Sequence, residues 1–332
     1  MSQTLMAKEA AQAPDVIEQQ FELNQARILD LVSKVKAFAP KFVYIVGRGS
    51  SDHAGVFAKY LIEVEMGIPV SSSAPSVQSI YKQDLNLENA LVLVISQSGG
   101  SPDIIAQAKS AKLRGALTVA LINAPNSPLS EVVDIEVPLH AGSEQAIAAT
   151  KSYLATLSAI IHFVAVWKND SKLVDGLVRL PAQMREIVNQ APRLQVANFN
   201  KVKHCVVTGR GFGYAIAREF ALKLKEVLSI HAEAFSSAEF LHGPVTLVEN
   251  QLAIIDLCIK DESYDSHKAL MQDINSRGAL TTIIDIDNDW CHPRCLPLLL
   301  MQGFYLDIER IAREQGLNPD EPPGLKKVTK TL

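Results

Sequence analysis

The sequence repeats itself at about half its length, and that limits what it can fold into. FVYIVGRGSSDHAGVFAKYLIE (42–63) is echoed by HCVVTGRGFGYAIAREFALKLKE (204–226), so Gly47-Arg48-Gly49 returns as Gly209-Arg210-Gly211. ALVLVIS (90–96) is echoed by LAIIDLC (252–258), and RGALT at 114–118 comes back verbatim at 277–281. Offsets of 162 and 163 hold across these ordered landmarks, which marks a duplicated unit rather than chance similarity. A chain of 332 residues has room for about two domains. Each copy is therefore read as one of them.

Within a copy, continuous apolar runs alternate with amphipathic stretches. FVYIV, ALVLVIS and LTVALI (117–122) predict buried parallel strands, because a strand covered on both faces loses its polar alternation. Between them, VFAKYLIEVEM (56–66) and IIAQAKSAKL (104–113) carry helical spacing, the latter closing at Gly115. This alternation predicts an α/β fold of two tandem doubly wound, flavodoxin-like parallel-sheet subdomains, with ligands outside the carboxyl ends of the strands. The expected order is an N-terminal helical segment (1–30), a first unit (31–172), a polar, Pro-containing helical connector (173–195), a second unit (196–316) and a tail (317–332). Three prolines and no periodicity exclude helix or central strand from that tail.

Composition narrows the function. Hydrophobic residues are 48% and charged residues 20%, as in an ordinary globular protein. Charges of 32 positive against 36 negative, with no basic stripe, argue against nucleic acid as a partner. The longest near-apolar stretch, 155–167, is too short to span a bilayer and contains Ser158 and His162, so no membrane association is expected. Lys8, Glu9, Asp15 and Glu18 stand where a secretory signal needs an apolar core, and four cysteines make no disulfide framework. A cytoplasmic protein is expected.

The motif Ser96-Gln97-Ser98-Gly99-Gly100-Ser101-Pro102 follows one strand and opens a helix. Ser101 suits the N-cap and Pro102 the first helical position. Backbone N–H groups of that first turn, with three hydroxyls and an amide, make a cradle for an anion. With no lysine in the loop and no Walker pattern, a phosphomonoester on a small molecule fits better than a nucleoside triphosphate. The same composition also suits a turn that only caps its helix. The duplicate loop reads Ile259-Lys260-Asp261-Glu262-Ser263 and has lost the serine cluster, so one phosphate site per chain is expected. Gly49-Ser50-Ser51 is a neighbouring strand-to-helix loop whose hydroxyls reach the same ligand in this reading. It lacks the third glycine of a dinucleotide fingerprint and carries Asp52, so no nicotinamide cofactor is expected.

Glu219, Lys223 and Glu226 recur at i, i+4 and i+7, a stripe about 60° wide on one helix. Such a stripe is either a solvated salt-bridged face or, on so apolar a helix, an enclosed general base beside a proton donor. His242, before Gly243-Pro244, falls on a loop after AEAFSSAEF (232–240), a helix-forming stretch, and is there either a proton shuttle or a structural hydrogen-bonding residue. Cys291-His292-Pro293-Arg294-Cys295 is half a zinc site without its other half, since Cys205 and Cys258 are scattered in predicted strands; no metal is expected.

GRGSS, ISQSGGSPD, AGSEQAIAATKSY, EFALKLKEVLSIHAEAF, EFLHGP and PPGLKKVT, in that order, resemble the double sugar-isomerase (SIS) domain family across nearly the whole chain. The chain is similar to the isomerase half of glucosamine-6-phosphate synthases. The resemblance implies that Ser51, Ser96, Gln97, Ser98 and Ser101 hold a sugar phosphate and that Ile147 and Ala149 lie along the sugar. It further implies Glu226 as the base between C1 and C2, Lys223 as its assistant near O1 and N1, and Glu219 as their neighbour. His242 is implied as the ring-opening histidine donated to the partner subunit of a homodimer, and Lys327 as a near-terminal lysine able to form a Schiff base. Ala149 replaces a serine and Gly100 a glutamate of those relatives, which leaves the sugar epimer open.

The synthases carry a glutaminase domain with a cysteine after the initiator methionine; this sequence starts MSQTLM and has no cysteine before Cys205. The expected activity is therefore that of an SIS-type glucosamine-6-phosphate deaminase, an aldose–ketose isomerising hydrolase giving fructose 6-phosphate and ammonia. A fructosamine-6-phosphate deglycase is the alternative. A non-catalytic phosphosugar sensor fits less well, because nothing resembling a DNA-binding helix precedes the first strand.

Overall fold

The computed structural model describes residues 3–286, 290–325 and 327. The chain divides into two compact units: residues 15–144 with 151–178, and residues 3–14, 145–150 and 179–327.

Two helices open the chain, α1 (Leu5–Ala11) and α2 (Ala13–Phe38). The first unit continues with β1 (Phe42–Val46), α3 (Ser50–Met66), β2 (Val70–Ser72), α4 (Pro75–Ser79), β3 (Ala90–Ser96), α5 (Pro102–Leu113), β4 (Leu117–Ile122) and β5 (Ile135–Pro138). Helix α6 (Lys151–Lys168) and the first half of α7 (Ser171–Val188) complete it. Its five strands are all parallel and ordered β2-β1-β3-β4-β5. That is the flavodoxin-like order, whose switch point lies between β1 and β3. Every residue of β3 is buried, as its unbroken apolar run predicts. Tyr44, Val92, Val94, Ala108 and Ile122 form one core on a face of this sheet. Helix α6 is apolar around most of its circumference because it is buried along almost its whole length.

The second unit holds β6 (His204–Gly209), α8 (Phe212–Leu228), β7 (His231–Ser236), α9 (Ser237–Phe240), β8 (Ala253–Leu257), α10 (Tyr264–Ser276), β9 (Leu280–Ile284) and α11 (Leu296–Glu314). Its parallel sheet runs β7-β6-β8-β9, the order of the first sheet less one strand. The duplication read from sequence is thus a duplication of topology.

The repeated Gly-Arg-Gly has a physical basis in both copies. Gly49 and Gly211 are the N-caps of α3 and α8 at φ of 55° and 53°, where a side chain is strained. At Gly47 and Gly209 a Cβ would meet helix backbone at 2.9 and 2.4 Å, so the strand end and helix start can approach only because both residues lack one.

Three departures from the sequence reading stand out. Residues 1–30 are not one segment. Helix α1 belongs to the second unit, where Asp320 accepts the Leu5 and Met6 N–H groups at its N-terminus and Gln302 donates to Ala10 O. Most of α2 belongs to the first, where buried Gln20 donates to Leu139 O and Ala155 O. The connector is the latter part of α7, a helix that contains Pro181 and across which the division falls. The stretch AEAFSSAEF, read as helix-forming, is edge strand β7 followed by the single turn α9. Pairing of Ala232–Ser236 with Cys205–Gly209 of β6 overrides the local helical preference. The described part of the tail is without helix or strand; Lys326 and residues 328–332, part of the PPGLKKVT motif, lie outside the described residues.

Candidate active site

The serine-rich loop leaves the carboxyl end of β3 in the first unit and enters α5. It is tightly folded on itself. Ser96 Oγ accepts from Gly99 N–H at 3.0 Å, Ser98 Oγ from Gly100 N–H at 3.3 Å, and Gln97 O from Ala124 N–H at 3.0 Å. Gly99 sits at φ 57°, and a Cβ there would fall 2.2 Å from Ser127 Oγ. Ser101 occupies the N-cap and Pro102 the first turn, but the Ser101 hydroxyl makes no capping bond. The first-turn N–H of Ile104 is taken by Asp103 Oδ1 at 2.9 Å. Three backbone donors, the N–H groups of Gly99, Gly100 and Ile104, are thus spent within the loop and first turn, while a serine oxygen that accepts from backbone still has its own O–H to give. Ser51 lies in the first turn of α3, at the adjacent strand end of the same unit.

Sequence reasoning missed an ion pair beside this loop. Arg48 Nε and Nη2 both donate to Asp103 Oδ2, at 3.0 and 2.7 Å. Asp103, in the first turn of α5, is fully buried, while the Arg48 side chain is 46% exposed. The recurring Arg-in-Gly-x-Gly was the available signal.

In the second unit, the polar stripe on α8 is enclosed. Lys223 Nζ lies 3.2 Å from Glu219 Oε1 and 2.6 Å from Glu226 Oε2. Glu219 and Lys223 are sealed from solvent, and Glu226 keeps 21% of its side chain exposed. Burial opposes the charge on Lys223, but attraction to the two carboxylates outweighs it, and its pKa ends above the ordinary lysine value. The solvated-face reading does not describe this stripe. Phe220 fixes the helix rotation by stacking on Phe304 of α11, ring centroids 3.6 Å apart.

His242 follows α9, its N–H bonded to Glu239 O at 3.0 Å and its side chain exposed in this chain. Behind α9 lies a buried network that sequence did not reveal. His267 bonds Ser237 Oγ at 3.0 Å and Asp256 Oδ1 at 2.7 Å, and Asp256 also accepts from Thr208 at 3.1 Å. Asp256, Cys258 and His267 are the one group of metal-binding residue types found close together among the described residues. Their polar atoms are matched to one another, and burial with the Asp256 charge holds the Cys258 thiol well above its ordinary pKa. Burial likewise raises the Cys291 thiol to about 12, which suits packing rather than ligation.

Ile147 and Ala149 lie on a strap, residues 145–150, that belongs to the second unit. The buried Glu9 carboxylate accepts from Gln145 N–H and, at 3.1 Å, from Ala146 N–H; Ile147 N–H donates to Asp320 O. Lys327 Nζ donates to Ala146 O at 2.7 Å. The structure thus brings Lys327 onto the strap that carries both predicted sugar contacts. Glu9, 136 residues away in sequence, carried no local signal.

Fold and residues together define a duplicated parallel α/β protein, with a hydroxyl-lined loop on one copy and an enclosed carboxylate–ammonium–carboxylate stripe on the other. Comparison with known proteins places it further. The SIS domain profile matches residues 39–166 and 198–290. A glutamine–fructose-6-phosphate aminotransferase (isomerizing) of Clostridium acetobutylicum is 31% identical over 310 residues, covering 86% of this chain and 51% of that protein. The chain spans about half the length of the curated relatives it matches. Among solved structures, a protein of Silicibacter pomeroyi DSS-3 assigned as a phosphosugar isomerase is 32% identical with a TM-score of 0.89, covering 96% of this chain and 100% of that one. The C-terminal domain of glucosamine-fructose-6-phosphate aminotransferase from Francisella tularensis is 27% identical with a TM-score of 0.84, covering 97% and 99%. The chain belongs to the SIS domain family. No described helix is long and apolar enough to cross a membrane.

Proposed function

We propose that this protein is an aldose–ketose isomerising enzyme of sugar phosphates and that its substrate is glucosamine 6-phosphate, converted with water to fructose 6-phosphate and ammonia. The enclosed stripe on α8 carries the reading. Glu226 is its one member with solvent access, and Lys223 beside it stays charged.

Ser51, Ser96, Gln97, Ser98 and Ser101 hold the phosphate, and Ile147 and Ala149 contact the sugar. His242, donated by the partner of a homodimer, takes the C1 hydroxyl proton and protonates the ring oxygen, which opens the pyranose. Glu226 then removes the C2 proton as Lys223 supports the charge developing on O1. Returning the proton to C1 leaves an imine at C2, and water converts that imine to the ketone with loss of ammonia. Glu219 keeps Lys223 protonated and in place, and Lys327 engages the ketose carbonyl. The three α8 side chains sum to one negative charge, which suits a cationic aminosugar better than a neutral sugar.

The test is direct: purified protein with glucosamine 6-phosphate, followed for ammonia and fructose 6-phosphate in equal amounts. Binding without ammonia release would refute the deaminase reading; release of an amino acid from a fructosamine 6-phosphate instead would establish a deglycase.

A further inference from the structure

The serine loop carries no cation of its own, although the group assigned to it is a dianion. We propose that Arg48 supplies the charge, as a direct ligand of the substrate phosphate, with Asp103 as the residue that aims it. The inference rests on the phosphate reading of the Ser96–Ser101 loop and adds to it a residue outside that loop.

Arg48 lies at the carboxyl end of β1 and Asp103 in the first turn after the loop that follows β3. Strands β1 and β3 are hydrogen-bonded neighbours at the switch point of the β2-β1-β3-β4-β5 sheet. The Arg48–Asp103 pair therefore bridges the two strand ends between which ligands of this topology bind. Its orientation matters more than its existence. The Asp103 side chain is fully buried and the Arg48 side chain is 46% exposed, so of the pair it is the cation that meets solvent. Both bonds to Asp103 use Nε and Nη2, which leaves Nη1 to donate elsewhere. A partly exposed arginine held along one edge by a buried acid, with a terminal nitrogen to spare, is a preorganised phosphate ligand.

The duplicated copy supplies a contrast. Its loop after β8 carries Asp261 and Glu262. Glu262 receives both terminal nitrogens of Arg294, at 2.7 and 2.9 Å, and is itself exposed. There the carboxylate faces outward. Bonding to Arg294 holds Glu262 ionised down to about 2. In the Arg48–Asp103 pair the arginine is the exposed partner, whereas in the Arg294–Glu262 pair it is the carboxylate.

Affinity for glucose 6-phosphate and for inorganic phosphate, measured by isothermal titration, reads the inference without depending on turnover. Ser98→Ala reports on the loop, Arg48→Gln and Arg48→Lys on the charge, and Asp103→Asn on the aim. Arg48→Gln is expected to weaken both ligands by about tenfold to a hundredfold, the range of a charge-assisted bond. Arg48→Lys should recover part of that, and Asp103→Asn should lose less than Arg48→Gln. In turnover, Arg48→Gln should raise KM with little change in kcat. Arg48→Gln/Asp103→Asn should bind no better than Arg48→Gln. Recovery of affinity in the double variant would show that Arg48 only neutralises Asp103 and would overturn the assignment. Unchanged affinity in Arg48→Gln, with loss in Ser98→Ala, would overturn it and leave the loop reading standing. Loss in neither variant would overturn both.

Discussion

Lys223 Nζ lies 2.6 Å from Glu226 Oε2, and of the two only the carboxylate reaches solvent. An ammonium closed off behind a partly open carboxylate is a poor surface salt bridge and a good catalytic pair. The lysine cannot exchange its partner for water, so the carboxylate is held in one position at the edge of the enclosure. The same geometry separates the two side chains experimentally, because their losses register in different quantities.

Glu226→Gln keeps the shape and removes the proposed base. General-base catalysis typically contributes about 10²–10⁴-fold, and kcat on glucosamine 6-phosphate should fall by that order with little change in phosphate affinity. Wild-type turnover in this variant would place the base elsewhere.

Lys223→Met should act on stability as well. It takes away the cation 3.2 Å from the sealed Glu219, and breaking a buried pair from one side costs about 3–5 kcal/mol. Urea unfolding should show that loss. Adding Glu219→Gln removes the buried charge that lost this cation, so the double variant should regain part of the stability while remaining inactive. A double variant as unstable as the single would mean that the lysine stem, not its charge, supports the helix.

Gly99→Ala tests the packing of the serine loop proposed to hold the phosphate. The new Cβ would lie 2.2 Å from Ser127 Oγ at a backbone φ of 57°. Overpacking and left-handed strain each cost about 1–3 kcal/mol. Phosphate affinity should drop together with the melting temperature. Adding Ser127→Gly removes the collision but not the strain, so it should restore only part of both.

His162 sets a pH dependence far from the chemistry. It is buried in α6, stacked on Phe21 at 4.5 Å, and burial lowers its pKa from 6.5 to about 4. The unfolded chain protonates it near 6.5, whereas the folded protein resists until about pH 4. Its contribution is therefore complete above about pH 6.5 and declines as pH falls toward 4, by about 3 kcal/mol at most. His162→Phe, which cannot titrate, should flatten the stability curve across that window while leaving the more acidic limb in place. Equal slopes for variant and wild type between pH 6.5 and 4 would remove His162 from the account.

How much of this was legible in the sequence depended on range. Strands β1, β3 and β4 were readable because burial on both faces writes itself as an unbroken apolar run. The stripe on α8 was readable because helical spacing is local, and its enclosure stood as one of two readings of so apolar a helix; the packing of Phe220 on Phe304 of α11, which no local window contains, goes with the enclosed one. β7 was misread because an edge strand with Glu233 facing out has no apolar run, and its identity comes from pairing with β6. Residues 1–30 were read as one piece because the break between α1 and α2 is a single residue, Gln12, flanked by alanines. Arg48 with Asp103, and Glu9 with the strap, join residues 55 and at least 136 positions apart. No window along a chain contains such pairs.

The assignment of His242 to a neighbouring subunit is the furthest-reaching expectation, and two damaged chains can test it. The residue follows the single turn α9, whose first residue, Ser237, is tied to the core through His267 and Asp256. That anchoring leaves the exposed His242 side chain at the end of a short, firmly rooted element. Ring opening needs one proton removed from the C1 hydroxyl and one delivered to the ring oxygen, a task suited to an imidazole near neutral pH. His242→Asn should therefore depress turnover of the closed pyranose far more than that of an open-chain analogue. If the histidine is donated between subunits, mixing His242→Asn with Glu226→Gln creates heterodimers in which one site receives an intact histidine and retains an intact glutamate. Partial activity should then appear from two inactive preparations, at a rate set by subunit exchange and approaching a quarter of the wild-type level per total site, since half the dimers are mixed and each has one whole site. Fluorescence transfer between labelled subunits gives the exchange independently. No recovery after complete exchange would mean that each chain uses its own histidine.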